Sequence, residues 1–332
     1  MKKLFALLLA LTLTVTSLVA CNKNDDTETK DPVIRIGYMQ GPTGMGMAKL
    51  INDNGGKAGN EKYQFVKYAN VNDAQSALLA GKIDMACVPT NNAAVMYNKN
   101  NAPWQVLALN CLNSLYVLTK DGTTVSSIDD LEGKTIYTIS AGTPKVILEH
   151  ILAEKNINAT ISTSALIGNE TKALAQPSDL ASAIIAGAVD IALVPEPVAT
   201  AAPLQAAAKG NTYTTALDLS DVWDGIAMGC IVANKDFVAN NKDTVDAFLA
   251  EYKASIEFMS NKANLDTAAQ YIVDAEVLGA VGPAKKSLTN LGDAIAYVDG
   301  DEMKSILVEF YNNIGVGLTG GKLPDDNFYY KK

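Results

Sequence analysis

One short pattern occurs twice in the chain and limits what it can fold into. Residues 77–89 (ALLAGKIDMACVP) align without gaps with residues 183–195 (AIIAGAVDIALVP), 106 positions further on. Each copy reads as the end of a helix, a glycine that stops it, a short buried strand and a proline at the strand exit. The spacing is too wide for a solenoid, whose repeats run about 20 to 50 residues. Two similar α/β lobes fit it. A second echo agrees: residues 37–44 (GYMQGPTG) and 138–144 (TISAGTP) both read as a strand leaving through small residues into a helix. Such exits present free backbone N–H groups, and open α/β sheets bind ligands there.

The stretches around these patterns alternate in the same way. Strands are predicted over 33–38, 63–67 and 83–88, with helices over 44–54 and 73–80, which gives βαβ units and a mostly parallel sheet. The run 116–120 (YVLTK) leads through 121–124 (DGTT) and 128–133 (IDDLEG) into a second series. The run 228–234 (MGCIVAN) returns and is followed by a long helix over 242–259. Two such connections side by side make a hinge. The expected organisation is therefore lobe 1 over 33–118 and 233–332, lobe 2 over 119–232, with mostly helical residues from 260 onward packed on lobe 1.

Ahead of the lobes lies a targeting segment. Residues 1–20 have a charged start and an uncharged apolar run, the layout of a secretory signal peptide. The apolar run is shorter than the roughly 20 residues of a spanning helix. Residues 22–31 (NKNDDTETKD) are polar throughout and read as a flexible tether, so 21–32 stands apart from the fold.

Composition removes several functions. The 332 residues are 48% hydrophobic and 19% charged, enough for two compact lobes. The net charge of −9, without a basic block, excludes nucleic acid as an expected partner. Arg35 is the only arginine and His150 the only histidine, so neither a cage of arginines nor a multi-histidine metal centre can be built. There is no calcium loop, and neither a metal nor a cofactor is expected. Cys87, Cys111 and Cys230 lie in or beside apolar runs without CxxC spacing and read as small buried hydrophobes, with room for one disulfide among them.

Several segments together resemble one family. They are residues 18–21 (LVAC), which look like the bacterial lipobox with Cys21 as the lipidated residue; the paired AGxxDhAxVP segments; 116–137 (YVLTKDGTTVSSIDDLEGKTIY); and 231–258 (IVANKDFVANNKDTVDAFLAEYKASIEF). The chain is similar to the solute-binding proteins of bacterial ABC importers, in the branch that takes up sulfonates, nitrate, taurine and thiamine-pyrimidine precursors. The resemblance spans nearly the whole mature chain. It implies a two-lobe, type II periplasmic-binding-protein-like fold with two hinge crossings, closing on one small molecule. The implied partners are that solute, a permease and an ATPase, and the membrane through lipid on Cys21. The implied state is a monomer at the extracytoplasmic face of the cell membrane, with no catalysis.

Matched by position, the resemblance puts Gln40, Gly41, Thr43 and Gly44 on one side of the cleft, where Thr43 also suits a helix N-cap. Thr90 and Asn91 follow the first repeat strand with neutral hydrogen-bonding groups. Across the cleft, Ser140, Gly142 and Thr143 could hold an anion through N–H and hydroxyl donors alone. Glu196 leaves the second repeat strand; turned inward it would ask for an ammonium, amino or ring N–H group, and turned outward it is a surface acid favoured by a helix dipole. Trp223 could stack a flat ligand or pack in the core, and Tyr38 and Asn110 are lesser candidates. Arg35 reads as exposed or salt-bridged. Two alternatives share this reading: a sensory receptor domain on the same fold, and an enzyme resembling the fungal pyrimidine synthase. The latter needs a cysteine-rich iron motif, which this chain lacks.

Overall fold

The computed structural model describes residues 32–140 and 142–331. The targeting segment, Cys21, residues 22–31 and Ala141 lie outside the described residues. In chain order the strands are β1 (Ile34–Met39), β2 (Tyr63–Tyr68), β3 (Met85–Pro89), β4 (Trp104–Leu112), β5 (Leu115–Lys120), β6 (Thr135–Tyr137), β7 (Thr160–Ser162), β8 (Ser164–Ile167), β9 (Glu170–Ala173), β10 (Ile191–Pro195), β11 (Tyr213–Asp218) and β12 (Ala227–Asn234).

They form two five-stranded sheets, ordered β2-β1-β3-β12-β4 and β11-β5-β10-β6-β7, with β8 and β9 a separate hairpin. β1 runs parallel to β2 and β3, and β10 and β7 run parallel to β6. β12 is antiparallel to both its neighbours in the first sheet, and β5 to both of its neighbours in the second. Each sheet is thus mixed: the βαβ series is parallel as expected, and the strand that carries the chain between lobes enters reversed.

The chain crosses between Leu112 and Leu115 and returns between Asp218 and Ala227. All of β5 belongs to the second sheet and all of β12 to the first, so both crossings fall ahead of the expected bounds at 118/119 and 232/233. The reason is that each strand is hydrogen-bonded along its length to one sheet only. The turns carry the reversal, at Asn113 (φ +45°) and Gly225 (φ +88°).

The two repeat copies fold alike. The helices Val71–Leu79 and Pro177–Ile185 end the same way, with Lys82 N donating to Ala77 O (2.9 Å) and Ala188 N to Ala183 O (3.0 Å). Gly81 and Gly187 take φ of +66° and +69° in these closures, a conformation open to glycine at little cost. β3 and β10 then occupy the centre of their sheets and are buried, as their uninterrupted apolar runs require.

The helix expected over 44–54 is broken into Pro42–Met45 and Ala48–Asp53. The interruption falls at Gly46 and Met47, and within the first piece a Cβ on Gly44 would lie 2.0 Å from Met39 O, so only glycine fits there.

Three apolar clusters hold the fold. One packs β1 and β2 against Phe248, Leu249 and Tyr252 of the long helix Lys242–Ser260. Another packs Leu118 and Val194 against the helices after β9 and β10. The largest runs through both sheets: Val88 and Leu109 from the first, Val117 and Leu193 from the second, and Phe310 and Tyr311 of the helix Gly300–Ile314. Burying one such side chain stabilises the fold by about 1.5 to 3 kcal/mol, so the lobes are joined by packing as well as by two strand crossings. The last strand-like residues close over β4, with Tyr330 N donating to Val106 O at 2.9 Å.

Candidate functional site

The exits of β1 and β6 are built in the same way. Gly41 (φ 106°, ψ −174°) caps Pro42–Met45, and Gly142 (φ 86°, ψ −163°) caps the helix Thr143–Lys155, each with a proline in the first turn. Neither cap has a side-chain hydrogen bond. Thr43 is therefore not the N-cap, a place only glycine fills at these angles without strain. The exits of β3 and β10 open into the helices Thr90–Asn100 and Val198–Ala207.

These four exits lie at the facing ends of the two sheets, and their residues touch. Thr143 Oγ1 donates to Asn91 Oδ1 at 3.2 Å, with both residues buried. A Cβ on Gly41 would come within 4.0 Å of Glu196 O. Thr90 is wholly buried and its hydroxyl donates to Ala227 O, tying the β3 exit to the start of β12. In this structure the lobes meet directly through these groups.

Glu196 stands between the lobes. It is 1% exposed, which contradicts the surface-acid reading. Its carboxylate accepts four hydrogen bonds: from Thr200 N (3.2 Å), Thr200 Oγ1 (2.8 Å), Ser287 Oγ (3.1 Å) and Asn290 Nδ2 (2.9 Å). Ser287 and Asn290 belong to the helix Val281–Leu291, whose apolar face packs with the first lobe's cluster. Burial pushes the Glu196 carboxyl above its usual range, and the hydrogen bonds pull it back. Donors of the protein thus occupy the place where the sequence reading put a ligand's amino group.

Behind Thr43 the first sheet is notched. Gly229 of β12 has no side chain, and a Cβ there would lie 2.4 Å from Thr43 Cγ2 and 2.6 Å from Asn110 Oδ1. Asn110, near the end of β4, is fully buried. Tyr38 is fully buried too, its hydroxyl donating to Ala275 O at 3.0 Å, and burial raises it to about 12.

The remaining candidates are placed elsewhere or at the edge. Gln40 and Ser140 are exposed at the strand exits, and Gly44 is folded under Met39. Trp223 is half-buried against the cluster shared by the sheets, with its ring 4.7 Å from His150 and 5.7 Å from Phe310; its contacts are aromatic packing. Arg35 forms a two-pronged pair with Asp84, Nη2 to Oδ1 at 2.6 Å and Nε to Oδ2 at 2.9 Å. The three cysteines are free thiols, all buried. Among the described residues no group of three or more His, Cys, Asp and Glu could hold a metal, and no helix is long and apolar enough to cross a membrane.

Ser287 and Asn290 escaped the sequence reading, although a signal existed. Ser287 sits in the stripe Ala284, Leu288, Leu291 that buries the helix, and a hydroxyl in an apolar stripe asks for a partner.

Comparison with known proteins agrees with this architecture. A family model described as NMT1/THI5 like matches residues 62–264. No curated protein matches the chain. Among solved structures, an ABC transporter protein from Parabacteroides distasonis is 20% identical with a TM-score of 0.72, over 91% of this chain and 100% of that one. The periplasmic aliphatic sulphonate binding protein SsuA from Escherichia coli is 16% identical with a TM-score of 0.67, over 90% and 92%. The periplasmic nitrate-binding protein NrtA from Synechocystis PCC 6803 is 16% identical with a TM-score of 0.58, over 82% and 75%. The likeness establishes the two-lobe α/β fold of such binding proteins.

Proposed function

The chain belongs to the NMT1/THI5-like family, and on that premise we propose that it is the solute-binding component of an ABC importer, capturing a small molecule between its lobes and handing it to a permease. The observation that carries the reading is the meeting of buried polar groups across the two sets of strand exits: Asn91 with Thr143, and Glu196 with Ser287 and Asn290. Such groups are satisfied by each other in the closed form and freed when the lobes part, so a solute with matching donors and acceptors can take their place and shift the population.

In this reading the protein is a monomer, held by lipid on Cys21 at the extracytoplasmic face and served by a permease and an ATPase. It performs no reaction. The three thiols are buried, and His150 lies against Trp223 and Glu154 rather than at the strand exits.

The test uses the chain from Asn22. Native mass spectrometry and a thermal-shift screen with ethanesulfonate, taurine, nitrate, cytosine and the common amino acids would reveal a bound solute. At about 100 times its dissociation constant a ligand adds about 2.7 kcal/mol, an easily measured shift. A stabilising solute in this panel supports the reading, and a bare mass with no shift from any member counts against it. Membrane association of the chain from Asn22 would refute the lipid anchor, because that chain lacks Cys21.

A further inference from the structure

We infer that the side-chain carbonyl of Asn110 accepts a hydrogen bond from the captured solute, so that the site selects molecules with an N–H or O–H group at their innermost end. This rests on the solute-binding reading above.

Asn110 is fully buried, yet its Oδ1 has no hydrogen-bond partner in the protein. Its other amide atom is engaged: Nδ2 donates to Cys87 Sγ at 3.5 Å, and that sulfur lies 3.7 Å from the Tyr252 hydroxyl. Rotating the amide by half a turn cannot repair this, because it only exchanges the unpartnered oxygen for an unpartnered NH2. A polar chain therefore runs from Tyr252 in the core of the first lobe through Cys87 to Asn110 and ends on an unused acceptor. Buried carbonyls are almost always satisfied.

The position of that acceptor is what gives it a use. It packs against the bare backbone of Gly229 beside the methyl of Thr43, so closely that Gly229 has no room for a Cβ. This point lies at the exit end of the first sheet, where β1, β3 and β4 finish and β12 begins, and where Gly41 approaches Glu196 of the other lobe. A site built to hydrogen-bond one group discriminates strongly against an analogue lacking it, because the buried partner is then stranded.

The test compares isosteres that differ in one donor: taurine with propanesulfonate, and cytosine with pyrimidin-2-one. In whichever pair binds, the donor-bearing member is expected to bind at least about tenfold more tightly to the native chain. In Asn110→Leu that ratio is expected to fall to near one, with the affinity of the donor-free member changed less than about threefold. Asn110→Ala serves if the leucine variant fails to fold. An unchanged ratio in the variant overturns the inference while leaving the solute-binding reading intact, and no binding by any member of either pair counts against both.

Discussion

The hydroxyl of Thr143 and the side-chain carbonyl of Asn91 meet at 3.2 Å, one from the first turn of a second-lobe helix and the other from the first turn of a first-lobe helix. A buried bond of this kind contributes about 0.5 to 1.5 kcal/mol net. A double-mutant cycle of Asn91→Ala and Thr143→Ala, read from urea midpoints, should show a coupling of that size. Strictly additive losses would mean that the contact adds nothing to closure.

Glu196 sets a pH dependence of known sign. Its folded value is raised above the usual 4.5 by burial, so the stability it contributes is complete below that value and is lost as pH rises through the folded one. Paired carboxylates such as Glu276 and Asp326 are lowered by Lys57 and Lys304 and act in the opposite direction, so the native curve alone is a mixture. The difference in stability between the native chain and Glu196→Gln isolates the group, and it should shift against the native chain as pH rises from 4.5. A flat difference from pH 4 to 8 would refute the raised value.

Two glycines should fail for different reasons. Gly229→Ala places a Cβ 2.4 Å from Thr43 Cγ2 and 2.6 Å from Asn110 Oδ1, an overpacking that costs about 1 to 3 kcal/mol. Thr43→Ser, which removes the nearer methyl, should restore part of the loss. Gly142→Ala has room, its nearest neighbour being 3.8 Å away, but φ is +86°, so its cost of about 1 to 2 kcal/mol is torsional and no neighbouring substitution should relieve it. Equal rescue of both by neighbours would contradict this distinction.

The repeat places an aspartate at equivalent points of the two lobes, with unequal consequences. Asp84 holds the Arg35 guanidinium and also accepts from Arg35 N at 2.8 Å, whereas Asp190 is exposed. Asp84→Ala should cost about 1.5 to 3 kcal/mol and Asp190→Ala within about 0.5, measured by chemical denaturation.

Thiol chemistry offers a check on the core. Burial pushes Cys87 and Cys111 up to about 12, and Cys230 well above its ordinary value. Since the thiolate is the reactive form, a thiol reagent at pH 8 should label none of the three in the folded chain from Asn22 and all three in denaturant. Rapid labelling under native conditions would place a sulfur at the surface.

The features legible in the sequence were those whose causes are local. The glycine closures at Gly81 and Gly187, and the strand exits at Gly41 and Gly142, follow from a few consecutive residues, and the structure builds each pair alike. What escaped depends on partners far along the chain. Glu196 is buried because Ser287 and Asn290 reach it from 91 and 94 residues away. Trp223 is committed to His150 and Phe310, which no short window connects. The lobe bounds expected at 118/119 and 232/233 cut through β5 and β12 because an apolar strand looks the same whichever sheet it joins.

The apolar layer that passes from Val88 and Leu109 through Val117 and Leu193 to Phe310 makes the hinge a solid edge. If the lobes part, they must roll about that edge as a book opens about its spine, separating the strand exits while the spine stays dry. The layer also ties the two halves into one melting unit, so neither lobe can be excised without exposing the face that the other covers.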